Sequence, residues 1–264
     1  MIPRQTIPLA LALAAVAGLA GCSGSDGMGR VNLQLSTRAS SGGMARAGGP
    51  QLSSVAGQTT ISLGGDQIVL DRVELVLRKV KLEGTNACAA TAGSTDVESE
   101  DCGELDAGPT VFDLPLGEGA AQMFTASVPA GSYQRVRFQI HRPVDANGDA
   151  TLLAEHPDLS GVSIRVTGSY QGAGDTEPTP FSYVTDLTSE VEVGLAQPVT
   201  LATGGELAVT LAIDLSGWFA NAEGTGLVDP AQALDGQPLE SLVEQHVRSS
   251  FHAFEDANQD GAED

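Results

Sequence analysis

The chain has 264 residues, with 34 acidic and 13 basic side chains and a formal net charge of −21 at pH 7. Such a charge opposes binding to nucleic acid or to anionic membrane surfaces, and it favours solubility and cation binding. The only lysines are Lys79 and Lys81, and aromatic residues make up 4% of the chain. Because neither a basic patch nor an aromatic platform for bases is visible, the composition excludes nucleic-acid binding.

Residues 1–21 have the three-part layout of an export signal. Arg4 is the only charge before an uncharged run over residues 7–20 that is rich in Leu and Ala, and small residues close this run. The run is shorter than the roughly 20 residues that a transmembrane helix needs. The pattern therefore favours a cleaved signal over a permanent membrane span.

The residues at the end of this run narrow the prediction. Leu19-Ala20-Gly21-Cys22 matches the lipobox of bacterial lipoproteins. This resemblance implies cleavage before Cys22, which then carries a diacylglycerol and an amide-linked acyl chain, and stable anchoring needs more than one chain. Ser23 after the cysteine resembles the outer-membrane sorting pattern of diderm bacteria. We expect a lipid-anchored protein of the cell envelope, in the outer membrane and facing the periplasm or the cell surface; the alternative is a soluble exported protein.

The two remaining cysteines, Cys88 and Cys102, flank a polar loop. In an oxidising compartment this arrangement predicts a disulfide. In the loop-entropy model a closure of this length contributes ~3 kcal/mol to stability. A metal-binding thiol pair is the alternative, although further Cys or His ligands are lacking nearby.

Most of the remaining chain is predicted to form β-strands. Val31, Leu33 and Leu35 alternate with polar residues and predict a short strand, whereas residues 36–58 are rich in Ser, Gly and Ala and predict a long loop or linker. An acidic excursion is predicted over residues 84–110. Further strands are predicted over residues 67–83, with a β-bulge near Arg78-Lys79, and over residues 111–116, 122–128, 133–141, 162–166, 181–187, 191–195 and 207–215.

Gly-rich turns separate these strands, and no helical pattern precedes residue 229. This favours an antiparallel β-sandwich of immunoglobulin-like or transthyretin-like type. Pro238 suits the first turn of a helix. An amphipathic helix of about 16 residues that packs on the sandwich is predicted from one apolar stripe: Leu239, Leu242, Val243, Val247, Phe251 and Phe254.

These patterns predict four parts of the chain. Residues 1–21 form the signal peptide, and residues 22–58 hold the lipidated Cys22, a tether, one short strand and a linker. Residues 59–254 form the β-sandwich domain with its C-terminal helix. Residues 255–264 form an acidic tail.

Two Asp/Asn clusters share the D-x-N-x-D spacing with which calcium loops bring alternate oxygen side chains onto one ion. Neither is a complete EF-hand, because Ala150 stands where the first would need Gly and the second ends at Asp264 before its twelfth position. The alternatives are a solvated acidic turn and a frayed tail. The candidate metal ligands are Asp145, Asn147 and Asp149 in the first cluster, and Asp256, Asn258 and Asp260 in the second.

No catalytic motif is visible. The sequence lacks G-x-S-x-G, H-E-x-x-H, a P-loop and a dinucleotide-binding fingerprint. We therefore expect no enzymatic activity. The alternative is a hydrolase whose site is assembled from distant loops.

The chain resembles bacterial lipoproteins that carry a sandwich domain of unknown function. The resemblance spans most of residues 59–260 and implies fold and location, but it assigns no catalytic residue. Because neither a catalytic motif nor the resemblance indicates an activity, we expect a non-catalytic binding or structural protein, whose partner would be an envelope protein or a small ligand; binding of calcium or another metal ion is the alternative. The resemblance depends on the lipobox, the strand over residues 69–82, and the segments Val128-Pro-Ala-Gly-Ser-Tyr133, Arg135-Val-Arg-Phe138, Ile213-Asp-Leu-Ser-Gly-Trp-Phe219 and Ser250-Phe-His-Ala-Phe-Glu-Asp256.

Overall fold

The computed structural model describes residues 27–37, 49–55, 57–84, 103–106, 108–117, 120–145 and 148–263. These residues form two α-helices, α1 (Ala150–Glu155) and α2 (Glu240–Arg248). Their β-strands are β1 (Met28–Ser36), β2 (Gln51–Val55), β3 (Gln58–Leu63), β4 (Asp66–Glu83), β5 (Glu104–Asp106), β6 (Thr110–Asp113), β7 (Ala120–Pro129), β8 (Gly131–Ile140), β9 (Ile164–Gln171), β10 (Thr179–Thr185), β11 (Ser189–Leu201), β12 (Glu206–Ile213) and β13 (Phe251–Glu255).

The strands form one hydrogen-bonded series, in the order β10-β9-β4-β8-β11-β13-β12-β1-β7. The 18-residue strand β4 also pairs with β3, β5 and β6, and β2 pairs with β3. The predicted mainly β fold is therefore confirmed.

The prediction of a purely antiparallel arrangement is wrong. β1 runs parallel to β12 over seven residue pairs, from Arg30↔Glu206 to Ser36↔Ala212. β11 and β13 are also parallel where Leu195 pairs with Ala253. Alternating burial has the same period of two in parallel and antiparallel strands. The residue pattern therefore does not indicate whether two paired strands run parallel or antiparallel. The fold is mainly β with a mixed sheet.

Strand β1 lies inside the sheet, between β12 and β7. Its alternating residues Val31, Leu33 and Leu35 are buried, as predicted, and the polar side chains of Asn32 and Gln34 are buried as well. Strand β2 lies in the segment that was predicted to be a loop. Strand pairing therefore extends to residues N-terminal of position 59.

The predicted β-bulge in β4 is confirmed. The register against β8 shifts between Arg78 and Lys81, and Lys79 has a φ of +54°. The extra residue changes which side chains face the core, so that Val80 and Leu82 are buried as completely as Leu77 is.

The two helices differ from the prediction. The unpredicted α1 buries Leu152 and Leu153 against Val76 and Leu159, in a small cluster apart from the main core. Helix α2 is nine residues long and ends before Ser249. The Ser250 hydroxyl donates to the Val247 carbonyl, which helps to end the helix.

The last two residues of the predicted helical stripe lie on a strand instead. Phe251 and Phe254 belong to β13, which is inserted between β11 and β12. The Phe251 ring packs edge-to-face on Phe138 of β8, with centroids 4.9 Å apart. Phe251 and Ala253 are buried in the main core as parts of a strand, although their spacing in the sequence also fits a helix.

Candidate functional site

The first predicted metal cluster is only partly assembled. Asp145 is exposed, and Asn147 lies outside the described residues. Asp149 is fully buried; its Oδ1 lies 2.9 Å from His141 Nε2, and its Oδ2 accepts a hydrogen bond of 2.8 Å from Val144 N. Both oxygens of this carboxylate therefore contact groups that close the connection between β8 and α1.

The second predicted cluster forms an ordered loop after β13. The buried carboxylate of Asp256 accepts hydrogen bonds from the Thr210 hydroxyl at 2.7 Å, from Gly261 N at 2.8 Å and from Asp260 N at 3.1 Å. Asn258 Oδ1 also accepts from Asp260 N, and Asp260 Oδ1 accepts from Ala262 N. The side chains of Asn258 and Asp260 are exposed. The loop therefore presents two oxygen-bearing side chains to solvent while Asp256 anchors it to β12.

A groove of about 360 Å³ lies beside this loop. It is within the size range of small-molecule sites, and its two carboxylates favour a cationic ligand. The lining residues are Ala196, Gln197, Pro198, Val199, Phe254, Glu255, Ala257 and Glu263.

A third acidic cluster was not predicted. Asp186, in the connection between β10 and β11, meets Glu240 and Glu244 of α2, with one carboxylate oxygen of each residue within 4.8 Å of the others. The spacing of Glu240 and Glu244 places them on one face of a helix. No sequence pattern brings Asp186 to that face, because it lies more than 50 positions earlier in the chain.

Most basic side chains in the described part of the chain are paired with carboxylates. Arg137, for example, contacts Glu83, Glu190 and Glu192 across β4, β8 and β11. The large acidic excess therefore remains after pairing and attracts cations. The paired basic residues are Arg72, Lys81, Arg135, Arg137, Arg142, Arg165 and Arg248.

The predicted lipid attachment at Cys22 and the predicted disulfide between Cys88 and Cys102 lie outside the described residues. The chain on either side of the disulfide segment is described, and Leu82 N donates to Gly103 O at 2.8 Å. The two ends of that segment are therefore adjacent. The disulfide stays a prediction.

The chain enters the fold between two turns. Gly27 O accepts from Ala130 N, and Met28 O accepts from Gly204 N at 2.7 Å. These turns join β7 to β8 and β11 to β12, and residues 129–132 and 202–205 carry no charged side chain. The end of the fold nearest the N-terminal segment is thus uncharged at both turns.

No family model, curated protein or solved structure matches this chain. Among the described residues, no helix has the length and apolar character that crossing a membrane requires. The function is therefore inferred from the residues of this chain and their geometry.

Proposed function

We propose that this protein is a lipid-anchored protein of the cell envelope, whose β domain is a non-catalytic binding or structural module. The position of β1 carries this proposal. Strand β1 lies inside the sheet, and its flanking residue Gly27 is only five positions after the lipobox Cys22. Because a residue spans at most ~3.6 Å, these two residues lie within about 18 Å of each other.

This short distance determines which end of the domain a lipid on Cys22 would hold against the membrane. It would be the end with the uncharged turns at 129–132 and 202–205. Anionic headgroups repel the strongly acidic chain, and this repulsion falls off within a Debye length. Turns without charged side chains are therefore suited to contact with the membrane. We assign the outer membrane as the location, with the domain facing the periplasm or the cell surface.

Two finer structural assignments accompany this proposal. A sandwich of immunoglobulin-like or transthyretin-like type is supported by alternating burial along β9 and β11, which is typical of strands with one core face. The Cys88–Cys102 disulfide is supported by the hydrogen bond that holds Leu82 beside Gly103. Mass measurement of the alkylated chain with and without reduction tests the disulfide.

Metabolic labelling tests the anchor. In a diderm host fed labelled palmitate, the wild-type chain should carry the label and fractionate with membranes. Cys22→Ala should lose both properties, whereas Cys88→Ala, the matched control, should keep them. A Cys22→Ala chain that still takes up the label, or an unlabelled wild-type chain, would contradict the proposal.

Calcium binding is the second candidate function, and the ordered loop at Asp256 favours it. Backbone N–H groups fix the Asp256 carboxylate, and Asn258 and Asp260 alternate on the exposed side, as oxygen ligands do in calcium loops. Calcium at a hundredfold excess over its dissociation constant would raise the free energy of unfolding by about 2.7 kcal/mol. Thermal unfolding in calcium and then in EDTA tests this.

Two variants locate such a site. If calcium binds at the C-terminal loop, Asp260→Asn should abolish the shift in melting temperature and Asp145→Asn should keep it. The reverse result would place the ion between β8 and α1. A shift that survives in both variants would count against either loop.

A further inference from the structure

Arg30 differs from the other arginines in the described ranges. It lies on β1 with an exposed side chain, and its guanidinium has no partner among the described residues. Each of the other arginines contacts a carboxylate or, for Arg78, the amide oxygen of Gln139. The chain has a formal net charge of −21 and many carboxylates to offer. A guanidinium that pairs with none of them is available to a group outside the protein.

The acidic residue opposite Arg30 is engaged elsewhere. Glu206 of β12 pairs with Arg30 in the parallel register, but its Oε1 accepts a hydrogen bond from Asn32 Nδ2 at 2.6 Å. Asn32 Oδ1 accepts in turn from the Thr125 hydroxyl of β7 at 2.9 Å. This network across β7, β1 and β12 holds the Glu206 carboxylate at Asn32, so Arg30 keeps its charge unpaired.

Arg30 lies at the end of the domain nearest the N-terminal segment. Its backbone N–H donates to Gly205 O at 2.9 Å, within one of the two turns that carry no charged side chain. Pro129 and Ala130 of the other turn are partly exposed, and Ala202 is exposed. An exposed guanidinium therefore borders a surface of small, uncharged side chains.

We propose that Arg30 binds the phosphate of an anionic phospholipid headgroup while the turns at residues 129–132 and 202–205 contact the membrane surface. The inference rests on the proposed lipid anchor, because Gly27 is five positions after Cys22 and a lipid there keeps this end within about 18 Å of the membrane. Two parallel N–H groups of an arginine match two oxygens of one phosphate.

The same headgroups repel the rest of the domain. The acidic excess of the chain lies outside the two turns, and its repulsion by an anionic surface falls off within a Debye length. Attraction at Arg30 and repulsion elsewhere favour one orientation, with β1 beginning at the membrane. Arg30 is thus a residue that orients the anchored domain as well as a ligand for the headgroup.

Photo-crosslinking in vesicles tests this orientation. The full-length protein is reconstituted into vesicles of phosphatidylcholine and phosphatidylglycerol that include a phosphatidylglycerol with a photoactivatable headgroup. Mass spectrometry should locate crosslinks at residues 129–132 and 202–205 and few at Thr188. Thr188 is exposed beside Ser189, which pairs with Ile140 at the other end of β8, about 30 Å from Gly131. Equal crosslinking at both ends would overturn the proposal.

The variant Arg30→Gln tests the contact itself. It should lower the ratio of docked to undocked protein about fivefold, the contribution of one basic residue near an anionic surface, and crosslinks at residues 202–205 should fall with it. Lys79→Gln is the matched control, because Lys79 is also exposed and without an ion pair in the described part of the chain. Lys79 lies beside Arg137 and Gln139, at least about 20 Å along β8 from Gly131. Equal losses in the two variants would mean that only net charge matters, and the proposal would be wrong.

Palmitate labelling of the same samples separates this inference from the proposed function. An acylated Arg30→Gln chain that crosslinks at residues 202–205 as often as the wild-type chain would refute the headgroup contact and leave the anchor intact. A wild-type chain without palmitate would refute the anchor and, with it, this inference. Arg30→Gln should keep the wild-type melting temperature, because the side chain is exposed and unpaired. A lower melting temperature in this variant would make Arg30 a structural residue.

Discussion

The two D-x-N-x-D segments have the same spacing in the chain and different surroundings in the fold. In the segment between β8 and α1, the last acid, Asp149, is buried against the imidazole of His141. In the segment after β13, the first acid, Asp256, is buried against the Thr210 hydroxyl and two backbone N–H groups. One cluster therefore loses its third candidate ligand to the interior, and the other loses its first.

The difference shows what residue spacing omits. A spacing of two places oxygen side chains at regular intervals, but a buried partner outside the segment decides which carboxylate remains available. His141 precedes Asp149 by eight positions, whereas Thr210 and Asp256 are 46 positions apart. Backbone N–H groups complete the hydrogen bonding in both segments. Substitutions at the two buried acids measure how much each set of partners contributes.

Asp256→Ala should have the largest effect. It leaves the Thr210 hydroxyl and the N–H of Gly261 without their acceptor in a buried position, so the free energy of unfolding should fall by about 3 kcal/mol. Urea unfolding measures this as a lower midpoint at an unchanged slope. Asp260→Ala is the control, since its side chain is exposed. If both variants lose the same stability, the special role of the buried acid is wrong.

Asp149→Ala should cost less, about 2 kcal/mol, because two hydrogen bonds are lost instead of three. A double-mutant cycle with His141→Ala should give a coupling energy above about 0.5 kcal/mol, because the two side chains are in contact. Asp145→Ala, on the exposed side of the same connection, should change stability by less than about 0.5 kcal/mol. Additive effects of the two buried substitutions would show that the pair is not coupled.

The strands could be predicted from sequence because their signal is local. Alternating residues such as Val136, Phe138 and Ile140 locate β8, and the change of phase at Lys79 locates the bulge. Strand direction could not be predicted, because β1 and β12 pair across more than 170 positions of the chain. The apolar stripe at the C-terminus was misleading at Phe251 and Phe254. These two residues continue the helical spacing in the sequence, but they lie on the strand that follows the helix.

The candidate site was predicted least well. Glu240 and Glu244 carry a helical spacing that is visible in the sequence, but the approach of Asp186 and Thr185 depends on how the end of β10 packs beside α2. The role of Asp149 is equally a tertiary effect, because its carboxylate contacts the buried imidazole of His141. Local patterns therefore identify candidate ligands, and packing decides which of them meet.

The comparison of buried acids extends to two buried phenols. Tyr133 Oη donates to the Pro129 carbonyl at 2.5 Å, so Tyr133→Phe should lower the free energy of unfolding by about 1 kcal/mol at neutral pH. Burial also raises the pKa of Tyr133 to about 12. Between pH ~10 and ~12 the unfolded chain loses a proton that the folded chain keeps, so stability falls as pH rises. Urea unfolding at neutral pH and in that alkaline range should show a smaller alkaline loss in Tyr133→Phe than in the wild-type chain.

Tyr183→Phe should have the smallest effect. Its buried phenol oxygen makes no hydrogen bond of normal geometry with the described residues, so its removal should leave the free energy of unfolding within about 0.5 kcal/mol of the wild-type value, or raise it. The ring and its contact with Phe219 are kept. Tyr133→Phe is the matched control, because it removes the same hydroxyl from a position where a carbonyl accepts it. Equal destabilisation by the two substitutions would show that Tyr183 has a stabilising hydrogen-bond partner inside the protein.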